Sequence, residues 1–323
     1  PIERAGHLIP QLEKPVRFDD ARAVEGLRLI LWGAFKKVVI ADHLALYVNH
    51  VYDSAQSYQG LSLITATVFL AFQIYADFSG YTDMARGIAR ILGIDLFENF
   101  RQPYLAKSIL EFWRRWHISL TTWIREYLFF PLSRFLLRKT KRRYPRLIEV
   151  SVYLIVMVLI GLWHGASWTF VLWGLLHGFY MGMDAALSGR RLRVISRGRW
   201  ADSLRIAGVF LLVTFAWIFF RANSIVDAAH IVHHLFDFDG DFLSTFQVYT
   251  TNSGSYVVQL FLCLALIVVL MGADWLDTKR GLFETFSARP AVVRWAVYYA
   301  LAALIILSLI PVDVVQQFVY FKF

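Results

Sequence analysis

Apolar residues in this chain gather into long runs parted by short polar or basic stretches, at roughly 27–48, 60–76, 150–163, 167–183, 206–220, 256–272 and 292–310. About 20 apolar residues in helical form cover the about 30 Å of bilayer hydrocarbon, so runs of this kind predict membrane-spanning helices. Six or seven spans follow, with amphipathic pieces between them. The first run carries Lys36 and Lys37, so it is either interfacial or internally polar. Residues 95–135 are aromatic, charged and punctuated by proline, too polar to span and too apolar for a plain solvated loop. The expected fold is an all-α polytopic membrane protein, a single membrane domain over 1–323 with no internal repeat.

The longest uncharged stretch runs from Val150 to Met183, 34 residues without Asp, Glu, Lys or Arg. As one straight helix it would be about 50 Å long, well beyond the hydrocarbon thickness. It must break or fold back, and near its middle stands "GLWHGASW" (161–168). Basic runs flank it: "RKTKRRYPR" (138–146) before and "GRRLRVISRGR" (189–199) after. If both face the cytoplasm, as the positive-inside rule favours, the chain between them crosses an even number of times. That predicts a hairpin or re-entrant pair turning near His164 and Gly165. Segment 221–254 has one basic residue, Arg221, and several acids, which suits the outer side.

Composition supports the membrane reading and removes others. Apolar residues make up 58% and charged ones 18%, a balance foreign to soluble domains. Lys and Arg exceed Asp and Glu by 33 to 24, but the excess lies in loops, where orientation on a membrane accounts for it and nucleic acid is not required. The single cysteine, Cys263, sits in an apolar run and reads as a packing residue, since one thiol forms neither an internal disulfide nor a thiolate cage. The chain opens on Pro1, so a further N-terminal portion is expected.

Three segments could carry chemistry. His164 is an imidazole inside an apolar run, where ionisable groups face protein or a cavity far more often than lipid. Gly165 and Ala166 allow a break and the close approach of a backbone or substrate. The alternative is a structural histidine bonding a carbonyl across helices, and that role suits His177, in "WGLLHGFY", better still. The second segment is "EFWRRWHISLTTWIREYL" (111–128), an amphipathic stretch with cation-π potential in which Trp113, Trp116 and Trp123 suit the headgroup boundary. Arg114 and Arg115 could hold an anionic donor such as a nucleotide or a phosphopantetheine arm. The surface-helix account covers all of it but His117. The third is "QIYADFSGYTDMARGIAR" (73–90). Asp83 and Arg86 are spaced to pair on a helix, and Asp77-Phe-Ser-Gly reads as a helix interruption. It is either an ion-paired kink or, with Asp77, Tyr81, Asp83 and Asn99, a wall of a polar tunnel. "HIVHH" (230–234) has metal-like spacing without a completing Glu and reads as an ordinary amphipathic helix. No nucleophile elbow, phosphate-binding loop or cysteine nucleophile is present. If the protein is an enzyme, its base is a histidine and the nucleophile belongs to the substrate.

Taken together and in order, "YADFSGYTDMARGIARILGI", "FENFRQPYLAKSILEFWRRWHISLTTWIREYLFFPL", "GLWHGASWTFVLWGLLHG" and the closing "FVYFKF" resemble the membrane-bound O-acyltransferase family. The likeness is to its bacterial branch, which includes alginate O-acetylation and teichoic acid D-alanyl transfer proteins. The resemblance implies a ring of membrane helices, with re-entrant and amphipathic helices, around a central tunnel. It implies further helices ahead of this chain, a cytoplasmic thioester donor (acyl-CoA or acyl carrier protein) and no bound cofactor or metal. The acceptor would be an envelope polysaccharide or a periplasmic or extracellular relay partner, and the setting the bacterial cytoplasmic membrane. It makes His164 the catalytic histidine and His117 the second. On that basis His164 would serve as general base, with His117, Trp116, Trp163 or free backbone N–H groups at the break as oxyanion donors. Acetyl is the expected group. Left to the residues alone, a transporter or flippase, or a scaffold for envelope assembly, stays open beside the enzyme.

Overall fold

The computed structural model describes residues 2–15, 17–188, 198–238 and 256–310. Helices α1 (Ala5–Leu12), α2 (Asp20–Ala34), α3 (Asp42–Asp53) and α4 (Gly60–Ile91) come first, with a wide π-turn, Phe35–Ala41, joining α2 to α3. Short helices α5 (Ile109–Arg115), α6 (Ile118–Ile124) and α7 (Phe130–Lys139) follow, with a second π-turn, Arg125–Phe129, ahead of α7. Then come α8 (Pro145–His164), α9 (Trp168–Ser188), α10 (Arg199–Arg221), α11 (Ile225–His234), α12 (Tyr256–Arg280), α13 (Leu282–Ser287) and α14 (Ala291–Leu309). No strand occurs among the described residues. Among the described residues six helices, α4, α8, α9, α10, α12 and α14, are long and apolar enough to cross a membrane. The protein is all-α and polytopic, as the hydropathy pattern predicts. The run 27–48 is instead divided among α2, the π-turn and α3. The basic run 189–199 lies almost wholly outside the described residues, as do the closing "FVYFKF" and the 239–254 part of 221–254.

The chain forms two compact units, Pro1–Glu98 with His233–Phe323, and Asn99–Val232. In the first, α2 and α4 lie antiparallel with glycines at both crossings. A Cβ on Gly33 would stand 2.5 Å from the Gly80 carbonyl oxygen, and one on Gly26 would stand 2.5 Å from that of Gly87. Small residues are what let two helix backbones approach this closely, the usual solution where lipid gives no hydrophobic drive to association. Just past Gly33, the wide π-turn lets two adjacent lysines address α4. Lys36 Nζ donates to Ser79 Oγ at 3.0 Å and to Asp83 Oδ2 at 2.7 Å. Lys37 Nζ reaches Asp42 Oδ1 at 2.7 Å and Asp77 Oδ1 at 2.8 Å. So the first run is internally polar. These pairs also correct the expectation of a break at Asp77-Phe-Ser-Gly: α4 runs without interruption for 32 residues. Gly80 serves the close crossing, and Asp77 and Ser79 are tolerated mid-helix because α2 and its π-turn bring them partners.

In the second unit, α8 and α9 make the antiparallel hairpin that the flanking charges predict. Pro145 stands at the start of α8, where its missing N–H costs nothing. Gly161 faces the Phe170 carbonyl and Gly174 that of Met157, each so close that a Cβ would stand 2.2 and 2.4 Å from the oxygen. The turn falls at 165–167, where the Ser167 hydroxyl accepts from the Thr169 N–H and so caps the opening turn of α9.

Candidate functional site

Within the second unit, the break after α8 and a break between α5 and α6 each present a histidine. His164 is the last residue of α8, and Gly165 carries the chain away in extended conformation. Its ring is enclosed by aromatics: Trp163 at 4.9 Å between centroids, Phe220 at 5.1 Å, Trp173 at 5.4 Å and Phe170 at 6.2 Å. It keeps part of its surface open, whereas His117 is 7% exposed and His177 not at all.

His117 owes its position to backbone geometry. It adopts φ 42 and ψ 54, a left-handed conformation uncommon outside glycine and Asn, and so ends one short helix and caps the next. Residues 99–102 hold it there from the side. The Asn99 carbonyl accepts from Ile118 N–H at 2.9 Å, and the Asn99 side-chain oxygen accepts from Ser119 N–H at 3.1 Å and Ser119 Oγ at 2.6 Å. Arg101 N–H donates to the Arg115 carbonyl at 2.9 Å, and Arg115 donates to the Gln102 carbonyl at 3.3 Å. Strain at a left-handed residue costs on the order of 1–3 kcal/mol and persists where the surroundings over-determine it. Here five hydrogen bonds do so. Burial above all pushes the His117 ring down to about 3, and the His164 imidazole adds to the shift in a smaller degree. It is neutral at physiological pH, and the two histidines lie within electrostatic reach of each other.

A continuous aromatic cluster links the two breaks. Trp116 stacks on Phe112 at 5.5 Å and meets Trp217 at 5.2 Å. Trp217 meets Phe220 at 5.2 Å and Trp173 at 6.1 Å, and both of those touch His164. Trp113 donates its indole N–H to His177 Nδ1 at 3.3 Å, which settles His177 as a packed structural imidazole protonated at Nε2. Trp113 and Trp116 are therefore buried members of this cluster, not headgroup anchors as their sequence pattern predicts. The break at 116–117 turns both rings inward, and Trp123 alone of the three keeps substantial exposure, 38%. Helical periodicity could not reveal this, because the segment is not one helix.

The predicted site residues thus separate. His117, His164, Asn99, Arg114, Arg115, Trp116 and Trp163 belong to the second unit, whereas Asp77, Tyr81 and Asp83 belong to the first. Arg114 is exposed, Arg115 is tied to Glu111 and the Gln102 carbonyl, and Trp163 is 64% exposed beside His164. In the first unit Asp77 pairs with Lys37, Asp83 pairs with Lys36 and, as its spacing predicts, with Arg86 at 3.4 Å, and Tyr81 is 45% exposed. Sequence reasoning missed Trp173, Trp217 and Phe220. Their only signal was aromatic content in two apolar runs, which lipid-facing helices share.

A part-open histidine, a buried neutral histidine and an aromatic surround suit proton transfer to and from a neutral hydroxyl. Residues 22–224 match the model of the membrane-bound O-acyltransferase family. A protein of Azotobacter vinelandii named "probable alginate O-acetylase" is 39% identical over 238 residues, 74% of this chain and 45% of that protein. A peptidoglycan O-acetyltransferase of Helicobacter pylori is 35% identical over 242 residues, 74% of this chain and 44% of that protein. A teichoic acid D-alanyltransferase of Bacillus subtilis is 33% identical over 155 residues, 46% of this chain and 38% of that protein. The chain spans less than half the length of these three relatives.

Proposed function

The chain belongs to the membrane-bound O-acyltransferase family, and from that premise we propose that it moves an acyl group, acetyl by preference, from a thioester to a hydroxyl, with His164 as general base. Three curated relatives are named for transfer of acetyl or D-alanyl groups to alginate, peptidoglycan and teichoic acid. The acceptor here is accordingly an envelope polymer or a protein that relays the group to it, and the setting is a bacterial cytoplasmic membrane. The donor is acyl-CoA or an acylated carrier protein. The observation that carries the reading is the position of His164: a part-open imidazole at a helix break, walled by aromatics, within reach of a second neutral histidine.

In the proposed step the His164 ring nitrogen takes the proton of the acceptor hydroxyl as its oxygen attacks the thioester carbonyl carbon. A tetrahedral oxyanion forms. It collapses with cleavage of the C–S bond, and the imidazolium returns its proton to the leaving thiolate, so that an ester and a thiol remain. A positioned base contributes roughly 10²–10⁴ in rate. The aromatic walls exclude the water that would otherwise hydrolyse the thioester. His164 also ends a 20-residue span whose opposite end adjoins the basic run 138–146. With that run on the cytoplasmic side, His164 lies toward the outer leaflet, the side from which an envelope acceptor arrives.

The test is the ester content of isolated envelope polymers from cells that depend on the complete protein, comparing wild type, His164→Ala and His117→Ala at matched membrane abundance. Ester falling to background in an abundant His164→Ala protein is the expected result. Ester at wild-type level would remove His164 from the chemistry.

A further inference from the structure

An oxyanion generated in an aromatic site needs a donor, and the second unit contains an indole N–H that no described residue accepts. Buried N–H groups are satisfied as a rule, and leaving one without a partner in an apolar surround costs on the order of 1–3 kcal/mol. Two indoles of the aromatic cluster follow that rule: Trp113 donates to His177, and Trp217 donates to the Tyr104 hydroxyl at 3.3 Å. Trp173 does not. Its ring is 1% exposed, and its indole Nε1 has no hydrogen-bond partner among the described residues. The same ring stands edge-to-face against His164, at 5.4 Å and 88°, and is held on its other sides by Phe220 at 5.3 Å, Trp113 at 6.0 Å and Trp217 at 6.1 Å.

Resting on the acyltransferase reading above, we infer that Trp173 is a catalytic residue whose indole N–H binds the thioester carbonyl oxygen and stabilises the oxyanion that develops on it. The dimensions agree. A hydroxyl oxygen about 2.8 Å from the imidazole and an oxyanion about 2.9 Å from the indole nitrogen are joined through a single carbon in the tetrahedral intermediate. His164 and Trp173 touch edge-to-face, so one small group seated beside them reaches both rings, and the acyl group must part the packing over the buried indole nitrogen as it seats. The indole keeps its proton throughout; only the strength of its hydrogen bond changes as negative charge grows on the oxygen. Rings on several sides fix its orientation before substrate arrives, which is the condition for such a donor to lower the barrier and not merely to bind. Among the described residues Asn99 Nδ2, His177 Nε2 and Thr214 Oγ1 are also buried without partners, but the ring contact with His164 singles out Trp173.

The test separates the N–H from the ring. In the complete protein, Trp173 is replaced through a suppressed stop codon by benzothienylalanine, which has the indole's shape with sulfur in place of N–H. Trp173→Phe and His164→Ala are made alongside. The rate at which polymer ester appears after induction is measured per molecule of protein in the membrane. Loss of one oxyanion donor is expected to slow transfer by about 10²-fold in both Trp173 variants, with abundance of the isosteric one unchanged. An isosteric variant within about threefold of wild type overturns the proposal. If it is scarce, Trp173→Phe decides by the same per-molecule rate. The parent reading fails separately, by full activity in His164→Ala. Should that occur while the isosteric variant is slow, the donor stands and the base must be sought elsewhere.

Discussion

The two units bury polar groups in opposite ways. Along α2, its π-turn and α4, formal charges are buried in pairs, with Lys36 on Asp83 and Lys37 on Asp42 and Asp77. Around His164 the ring contacts are aromatic, and the N–H of one of them, Trp173, has no partner among the described residues. Buried ion pairs are costly to break and poor at responding to a substrate, because each charge is already committed. A neutral imidazole beside an uncommitted N–H stabilises nothing in the resting protein, yet it is available to charge that arises only during a reaction. The difference teaches where to look: in a membrane protein the conspicuous charges can be scaffold, and the chemistry can lie where charge is missing.

The sharpest way to break this contrast is to exchange the expected phenotypes. His164→Ala should leave membrane abundance intact and lower ester transfer by about 10²–10⁴-fold. Lys37→Met should do the reverse, destabilising the fold by about 3–5 kcal/mol through two uncompensated carboxylates, with normal transfer from each molecule that still folds. Combining Lys37→Met with Asp42→Asn and Asp77→Asn should recover most of the lost abundance, because no charge is then stranded. Blotting and ester analysis on the same membranes read all of these. Poor folding of His164→Ala, or dead but abundant Lys37→Met, would collapse the distinction.

A smaller effect sharpens it through pH. His117 titrates near 6.5 when unfolded but is held to about 3 in the fold, chiefly by burial. Below about pH 6.5 the unfolded chain therefore binds a proton that the folded chain refuses. Stability tied to this group is whole above that pH and is lost as the pH falls toward about 3, by about 2 kcal/mol at pH 5. Thermal melting in detergent should show a lower midpoint at pH 5 than at pH 7, with a shallower fall in His117→Asn, which tolerates the left-handed backbone and does not titrate. Equal pH slopes in the two proteins would place the effect elsewhere. The smallest effect belongs to Asn99→Ala, which removes the acceptor for Ser119 N–H at the start of α6. A loss of about 1 kcal/mol is expected, as for a helix cap, and an unchanged melting midpoint would deny Asn99 that role.

Where a feature depended on neighbours along the chain, it was legible. The apolar runs predict the spans because burying a helix in lipid needs only length and apolarity, and the hairpin at His164 follows from an uncharged stretch too long to cross once. The Asp83–Arg86 pair follows from helical spacing. Asp77-Phe-Ser-Gly misleads because its tolerance inside α4 depends on Lys37 and on Gly33, forty and more residues upstream. Trp113 and Trp116 mislead because a left-handed residue at 117 redirects a segment that periodicity treats as one helix.

By itself the sequence determined that this chain is an all-α membrane protein, where its spans run, that one of them must fold back at a histidine, and which family its ordered motifs resemble. Those properties follow from composition and from spacing over a few turns of helix. Only the tertiary structure decided which histidine stays open and which are packed, which charges are spent on one another, and which indole holds a hydrogen bond in reserve. Partnership between polar groups is settled in space, between residues such as Trp217 and Tyr104 that lie 113 positions apart, and local pattern carries no record of it.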